Sequence, residues 1–124
     1  MREVQYRCVG ILGTGLIGGS LGMALRAEKA AGLVLGYDRD AEMLSRALER
    51  GAVEEAEDSP RRLASRCDLV IVAVPVRSIP GVLEEIAPAL QPGATVSDVG
   101  SVKGSVVREA SRIIPRECHF VGGH

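Results

Sequence analysis

The stretch Gly13-Thr14-Gly15-Leu16-Ile17-Gly18 constrains this chain more than any other, because it joins two segments of different periodicity. The apolar run Cys8-Val9-Gly10-Ile11-Leu12 precedes it, and residues 16–31 carry a helical pattern. A strand-to-helix turn of this kind uses Gly13 for tightness, Gly15 to let the backbone approach a pyrophosphate, and Gly18 to let the helix press against the strand. The pyrophosphate would sit at the helix N-terminus, where unpaired N–H groups and the dipole favour negative charge. Glycines gather in ordinary turns too, so it is the context that carries this reading. A P-loop is excluded, since Gly13 and Gly18 have its spacing but Gly19 stands where lysine is required.

A second apolar strand, residues 33–37, ends at Asp38, twenty residues after Gly18. That is the spacing of the acid that receives a ribose; a carboxylate there accepts from ribose hydroxyls and repels a 2′-phosphate, favouring NAD over NADP. Asp38 also has a simpler use, as a cap for the helix that begins near Ala41. Arg39 pulls the other way, because an arginine in this loop can pair with a 2′-phosphate or stack on adenine; it reads equally well as a solvated loop charge.

Further along, strands are expected at 69–74, 94–98 and 119–122, with a weak one near Ala52 and Val53. Helical patterns cover 41–50, 60–66, 79–90 and 104–114. Such alternation predicts an α/β fold of one domain: a Rossmann-type, doubly wound parallel sheet in three α/β/α layers, with strand order 3-2-1-4-5-6 and ligands over the C-terminal strand ends. At 124 residues the chain is long enough to bury roughly two thirds of its unfolded surface without staples. Its charges are of both signs and sum to −1, and the only aromatics are Tyr6, Tyr37 and Phe120, so neither a basic stripe nor stacking platforms for nucleic acid are present. No apolar run approaches a membrane span, and the start carries no signal-peptide pattern. Cys8, Cys67 and Cys118 are odd in number and lack metal-type spacing; they read as small buried hydrophobes, and the expected compartment is the cytoplasm.

If ligands lie over the strand ends, functional residues should follow strands. Ala73-Val74-Pro75 ends the third long strand, where Pro75 both punctuates and borders the cofactor crevice. Asp98 and Ser101 would face the nicotinamide end, although Ser101 could equally cap the helix starting near Gly104, and Lys103 reads as a solvated first-turn charge. After the last strand, Gly122-Gly123-His124 would bring an imidazole to the rim of the same crevice, unless it is simply a solvated chain end. His119, at the strand's entry, reads as structural or exposed.

Taken together, Gly13-Thr14-Gly15-Leu16-Ile17-Gly18-Gly19-Ser20, Tyr37-Asp38, Ala73-Val74-Pro75, Asp98-Val99-Gly100-Ser101-Val102-Lys103 and Val121-Gly122-Gly123-His124 resemble the prephenate dehydrogenase family, including its arogenate-using members. The last two segments are the specific ones, since Rossmann glycines are widely shared. The resemblance implies NAD as cofactor and oxidative decarboxylation of prephenate to 4-hydroxyphenylpyruvate, in tyrosine biosynthesis. It implies that His124 accepts the proton of the 4-hydroxyl as hydride leaves, and that Ser101 contacts that hydroxyl and the nicotinamide. It likewise implies that Asp38 holds the adenosine ribose and that the loop 13–18 cradles the pyrophosphate. The stretch from Asp98 to Lys103 separates this family from β-hydroxyacid dehydrogenases and pyrroline-carboxylate reductases. The joint presence of Ser101 and His124 speaks against a non-catalytic NAD(P)-sensing module.

Family members continue past the histidine into a helical domain that makes the dimer and supplies much of the substrate site, whereas this sequence stops at His124. The expectation is a dissected cofactor domain or a stand-alone module that binds NAD with negligible turnover, since positioning and water exclusion would be lost. Its face near residues 119–124 is expected to promote weak self-association.

Overall fold

A computed structural model describes residues 5–99 and 110–122. Among them run β1 (Tyr6–Leu12), α1 (Leu16–Ala27), β2 (Ala31–Tyr37), α2 (Ala41–Glu49), β3 (Glu55–Ala56), α3 (Pro60–Arg66), β4 (Leu69–Val72), α4 (Ile79–Ile86), β5 (Thr95–Asp98) and β6 (His119–Gly122). The six strands form one parallel sheet in the order β3-β2-β1-β4-β5-β6, as the alternation predicts.

Apolar residues on both faces make the central strands double-sided, as a parallel sheet covered by helices requires. Val9 and Ile11 of β1, Val34 of β2, and Leu69 and Ile71 of β4 pack on one side, with Leu21 and Leu25 of α1 and Ala47 of α2. Cys8, Leu12, Leu35, Val70 and Val72 pack on the other, with Leu63 of α3 and Leu83 and Ile86 of α4. The period of two along each strand thus sorts α1 and α2 to one layer, α3 and α4 to the other.

Several boundaries differ from those expected. The helix predicted over 16–31 ends at Ala27, because Lys29 adopts a φ of 55° and the chain passes directly into β2. The weak strand lies at Glu55–Ala56, not at Ala52 and Val53. Ala52 donates its N–H to Ala47 to close α2, Val53 is buried in the core, and pairing with β2 starts only when Glu54 N–H reaches the Val34 carbonyl at 2.8 Å. β4 stops at Val72, two residues earlier than expected; the Ala73 N–H still bonds the Leu12 carbonyl, but Pro75 has none to offer and starts a 3₁₀ turn over Val76–Ser78. The α-helix expected to Leu90 ends at Ile86, and Pro88 lies in a 3₁₀ turn over Ala87–Ala89. Of the helix expected over 104–114, the described part is helical from 110 to 113.

All three cysteines are buried, in keeping with their sequence reading. No helix among the described residues is long and apolar enough to cross a membrane, and no cluster there could hold a metal ion.

Candidate nucleotide site

Strand order reverses between β1 and β4, and loops following those two strands leave a crevice at their C-terminal ends. Gly13 makes the turn out of β1 with a φ of 96°, and a Cβ there would sit 2.6 Å from the Ala73 carbonyl oxygen. Only glycine satisfies both conditions. A Cβ on Gly18 would collide with the Gly13 carbonyl, so the first turn of α1 can close against the loop only without a side chain. Gly15 is the opposite case: a Cβ there would meet nothing within 4 Å. The space in front of it is open.

Gly15 is also the N-cap of α1, which has no side-chain cap and no acidic residue in its first turn. Helix α4 likewise lacks a side-chain cap, whereas α2 and α3 are finished differently. Asp40 caps α2 by accepting from the Glu42 and Met43 N–H groups, and Ser59 caps α3 by accepting from Arg62 N–H. The positive end of α1 is thus presented without a competing carboxylate of its own, which suits an anionic ligand.

Two grooves flank the loop. One, of about 430 Å³, is walled by Leu16 and Ile17 on one side and by Ala73, Val74, Pro75 and Val76 on the other, with Val99 at its edge. The second, of about 450 Å³, runs past Gly13 to Tyr37, Asp38 and Arg39. Gly15 and residues 73–75 line both, so the two form halves of one elongated crevice. Leu16 is 83% exposed and Ile17 55%, an apolar rim without a cover among the described residues.

Asp38 lies at the end of β2, over the second groove. It does not cap α2; that role falls to Asp40, whose own N–H donates to Asp38 Oδ1 at 2.9 Å. Asp38 Oδ2 accepts from the Thr14 N–H at 2.8 Å and the Thr14 hydroxyl at 3.2 Å. With the Gly13 N–H on the Tyr37 carbonyl at 2.9 Å, these bonds tie the glycine loop to the end of β2. Arg39 is exposed beside it. Asp98 is fully buried and lines neither groove, while its neighbour Val99 does. Ser101, Lys103 and His124 lie outside the described residues.

The sequence reading passed over the far wall of the second groove. Ser78, Val82 and Glu85 line it, together with Met43 and Pro60. Val82 and Glu85, three residues apart on α4, share one helix face with Ser78 at its N-cap, a signal available from sequence once the crevice is known.

Shifted titrations lie away from this crevice. Arg66 donates to Glu57 Oε2 at 2.7 Å and holds its carboxyl below the ordinary range; the same bond raises Arg66. At the N-terminal ends of β1 and β4 the Cys8 and Cys67 sulfurs are 3.4 Å apart, and their hydrogen bond lowers the Cys8 thiol and raises that of Cys67.

The sequence model of the family described as prephenate dehydrogenase, nucleotide-binding domain, matches residues 21–124. The prephenate dehydrogenase of Bacillus subtilis is 34% identical over 115 residues, which cover 92% of this chain and 31% of that protein. A crystal structure of prephenate dehydrogenase from A. aeolicus, in complex with hydroxyphenyl propionate and NAD⁺, superimposes with a TM-score of 0.88 at 32% identity, covering 99% of this chain and 43% of that one. Synechocystis arogenate dehydrogenase does so with a TM-score of 0.83 at 33% identity, covering 94% and 40%. The chain spans about a third of the length of the Bacillus relative. Crevice, strand order and sequence match agree over nearly the whole chain, which belongs to the family of prephenate dehydrogenase nucleotide-binding domains.

Proposed function

We propose that this chain binds NAD⁺ in the crevice over β1 and β4 and is the cofactor domain of a prephenate or arogenate dehydrogenase. The observation that carries the reading is the pairing of an open, uncapped helix start at Gly15 with a strand-end carboxylate at Asp38 along one crevice. Residues Gly13, Thr14, Gly15, Leu16, Ile17 and Gly18 would form the pyrophosphate loop; the Gly13 and Thr14 N–H groups are committed to Tyr37 and Asp38, so the phosphate contacts would come from the N–H groups that open α1. Asp38 would accept from the adenosine ribose, with Arg39 next to it, and Ala73, Val74 and Pro75 would form the opposite wall. Toward the nicotinamide, Asp98 would support the end of β5 and Ser101 would meet the substrate hydroxyl. His124 would take the proton of that hydroxyl, a task suited to a neutral imidazole near neutral pH.

Bound NAD⁺ supplies the hydride acceptor for an oxidative decarboxylation that ends in an aromatic ring. The remaining substrate contacts, and the dimer, would come from a helical domain outside this sequence. Positioning of the reacting atoms and exclusion of water from them would rest on that domain.

Calorimetric titration tests the cofactor assignment. Saturable NAD⁺ binding that Asp38→Ala weakens by about tenfold or more, the scale of one charge-assisted hydrogen bond, is the expected result. Absence of binding to either NAD⁺ or NADP⁺ would overturn it.

A further inference from the structure

Two residues of opposite charge stand where a 2′-phosphate would lie: Asp38 disfavours it and Arg39 attracts it. Which one prevails depends on whether the Asp38 carboxylate can turn aside, and the bonds that restrain it are therefore informative. A carboxylate offers about four acceptor sites. Thr14 N–H, the Thr14 hydroxyl and Asp40 N–H occupy three of them. Among the described residues this leaves acceptor capacity on Oδ1, which a ribose hydroxyl would use.

Thr14 is itself held. Its side chain is fully buried, and its methyl group packs over β2 at Gly36, where a Cβ would come within 3.2 Å of Thr14 Cγ2. Lack of a side chain at Gly36 makes the seat for the methyl, and the seated methyl aims the hydroxyl at Asp38. Swinging the carboxylate away to admit a 2′-phosphate would strand this buried hydroxyl without its Asp38 acceptor.

We propose that Thr14 is a positioning residue for cofactor choice: its buried hydroxyl pins Asp38 at the ribose and thereby excludes 2′-phosphorylated nucleotides in spite of Arg39. The inference rests on the reading of Asp38 as the ribose acceptor. Asp38 meets the nucleotide; Thr14 acts through it.

The test is titration of this chain, as wild type and as the variants Thr14→Val, Thr14→Ser and Asp38→Asn, with NAD⁺ and with NADP⁺. In Thr14→Val the ratio of NADP⁺ to NAD⁺ dissociation constants should fall by about tenfold, the worth of a hydrogen bond to a charged group. Thr14→Ser keeps the hydroxyl and should restore the wild-type ratio. A merely structural role would weaken both nucleotides alike and leave the ratio unmoved, and that result would overturn the proposal. Asp38→Asn separates the two levels. If it collapses the ratio and Thr14→Val does not, the Thr14 inference falls alone. If Asp38→Asn leaves the ratio intact, or the wild type binds neither nucleotide, the reading of Asp38 falls and takes this inference with it.

Discussion

Gly15 and Gly18 share one turn of chain and differ in what an added methyl group would meet. At Gly18 it would run into the Gly13 carbonyl, so Gly18→Ala should destabilise the fold by about 1–3 kcal/mol, the usual cost of overpacking. At Gly15 it would meet open space, so Gly15→Ala should leave the unfolding free energy within about 1 kcal/mol of wild type, the usual scale of an N-cap change, while abolishing nucleotide binding. Paired denaturation and titration of the two variants check this. Equal loss of stability in both would mean that the space before Gly15 is not open, and unchanged binding in Gly15→Ala would mean that it is not a ligand's. The places of these glycines in the β1–α1 turn and of Asp38 after β2 were legible in the sequence because they follow from spacing along the chain. The bond from the Thr14 hydroxyl to Asp38 was not, since it depends on how a methyl group seats over Gly36 on a neighbouring strand.

Helix α3 carries two tests of how the elements are joined. Its Leu63 is fully buried and lies so close to β1 that a Cβ on Gly10 would overlap it. Leu63→Ala should therefore cost about 2–5 kcal/mol in a urea melt. At the other end of the contact, Arg66 reaches from α3 to Glu55 at 3.2 Å and to the nearly buried Glu57 at 2.7 Å, fastening the short edge strand β3. The folded state lowers the Glu57 carboxyl, so this pair stabilises above the unfolded value and ceases to do so as pH falls through the folded one. The stability gap between wild type and Glu57→Gln should be widest near neutrality and close below the ordinary carboxylate range of about 4.3. A gap that persists unchanged into acid would remove the ion pair as its cause. β1, β2 and β4 could be read from sequence because both their faces are apolar. β3 could not: Glu55 and Ala56 have no apolar pattern, and the apolar pair just before them, Ala52 and Val53, fills the core without pairing in the sheet.

At the scale of the whole molecule, a ligand that binds only the folded chain raises its stability by mass action. NAD⁺ at a hundred times its dissociation constant should add about 2.7 kcal/mol, and the melting temperature should climb by several degrees. NADP⁺ at the same concentration should do less, and identical shifts would argue that Asp38 does not discriminate. The exposed apolar rim of Leu16, Ile17 and Val76 is a liability in the free chain. The contacts that tie down the glycine loop, from Gly13 to Tyr37, from Thr14 to Asp38 and from Ala73 to Leu12, all fall between residues 12 and 73. β5 and β6 come later in the chain. On a ribosome adding about 5–20 residues per second, every residue that anchors the glycine loop has been made seconds before the last two of the six strands are complete. The loop's order is thus written into the chain before one edge of its sheet exists.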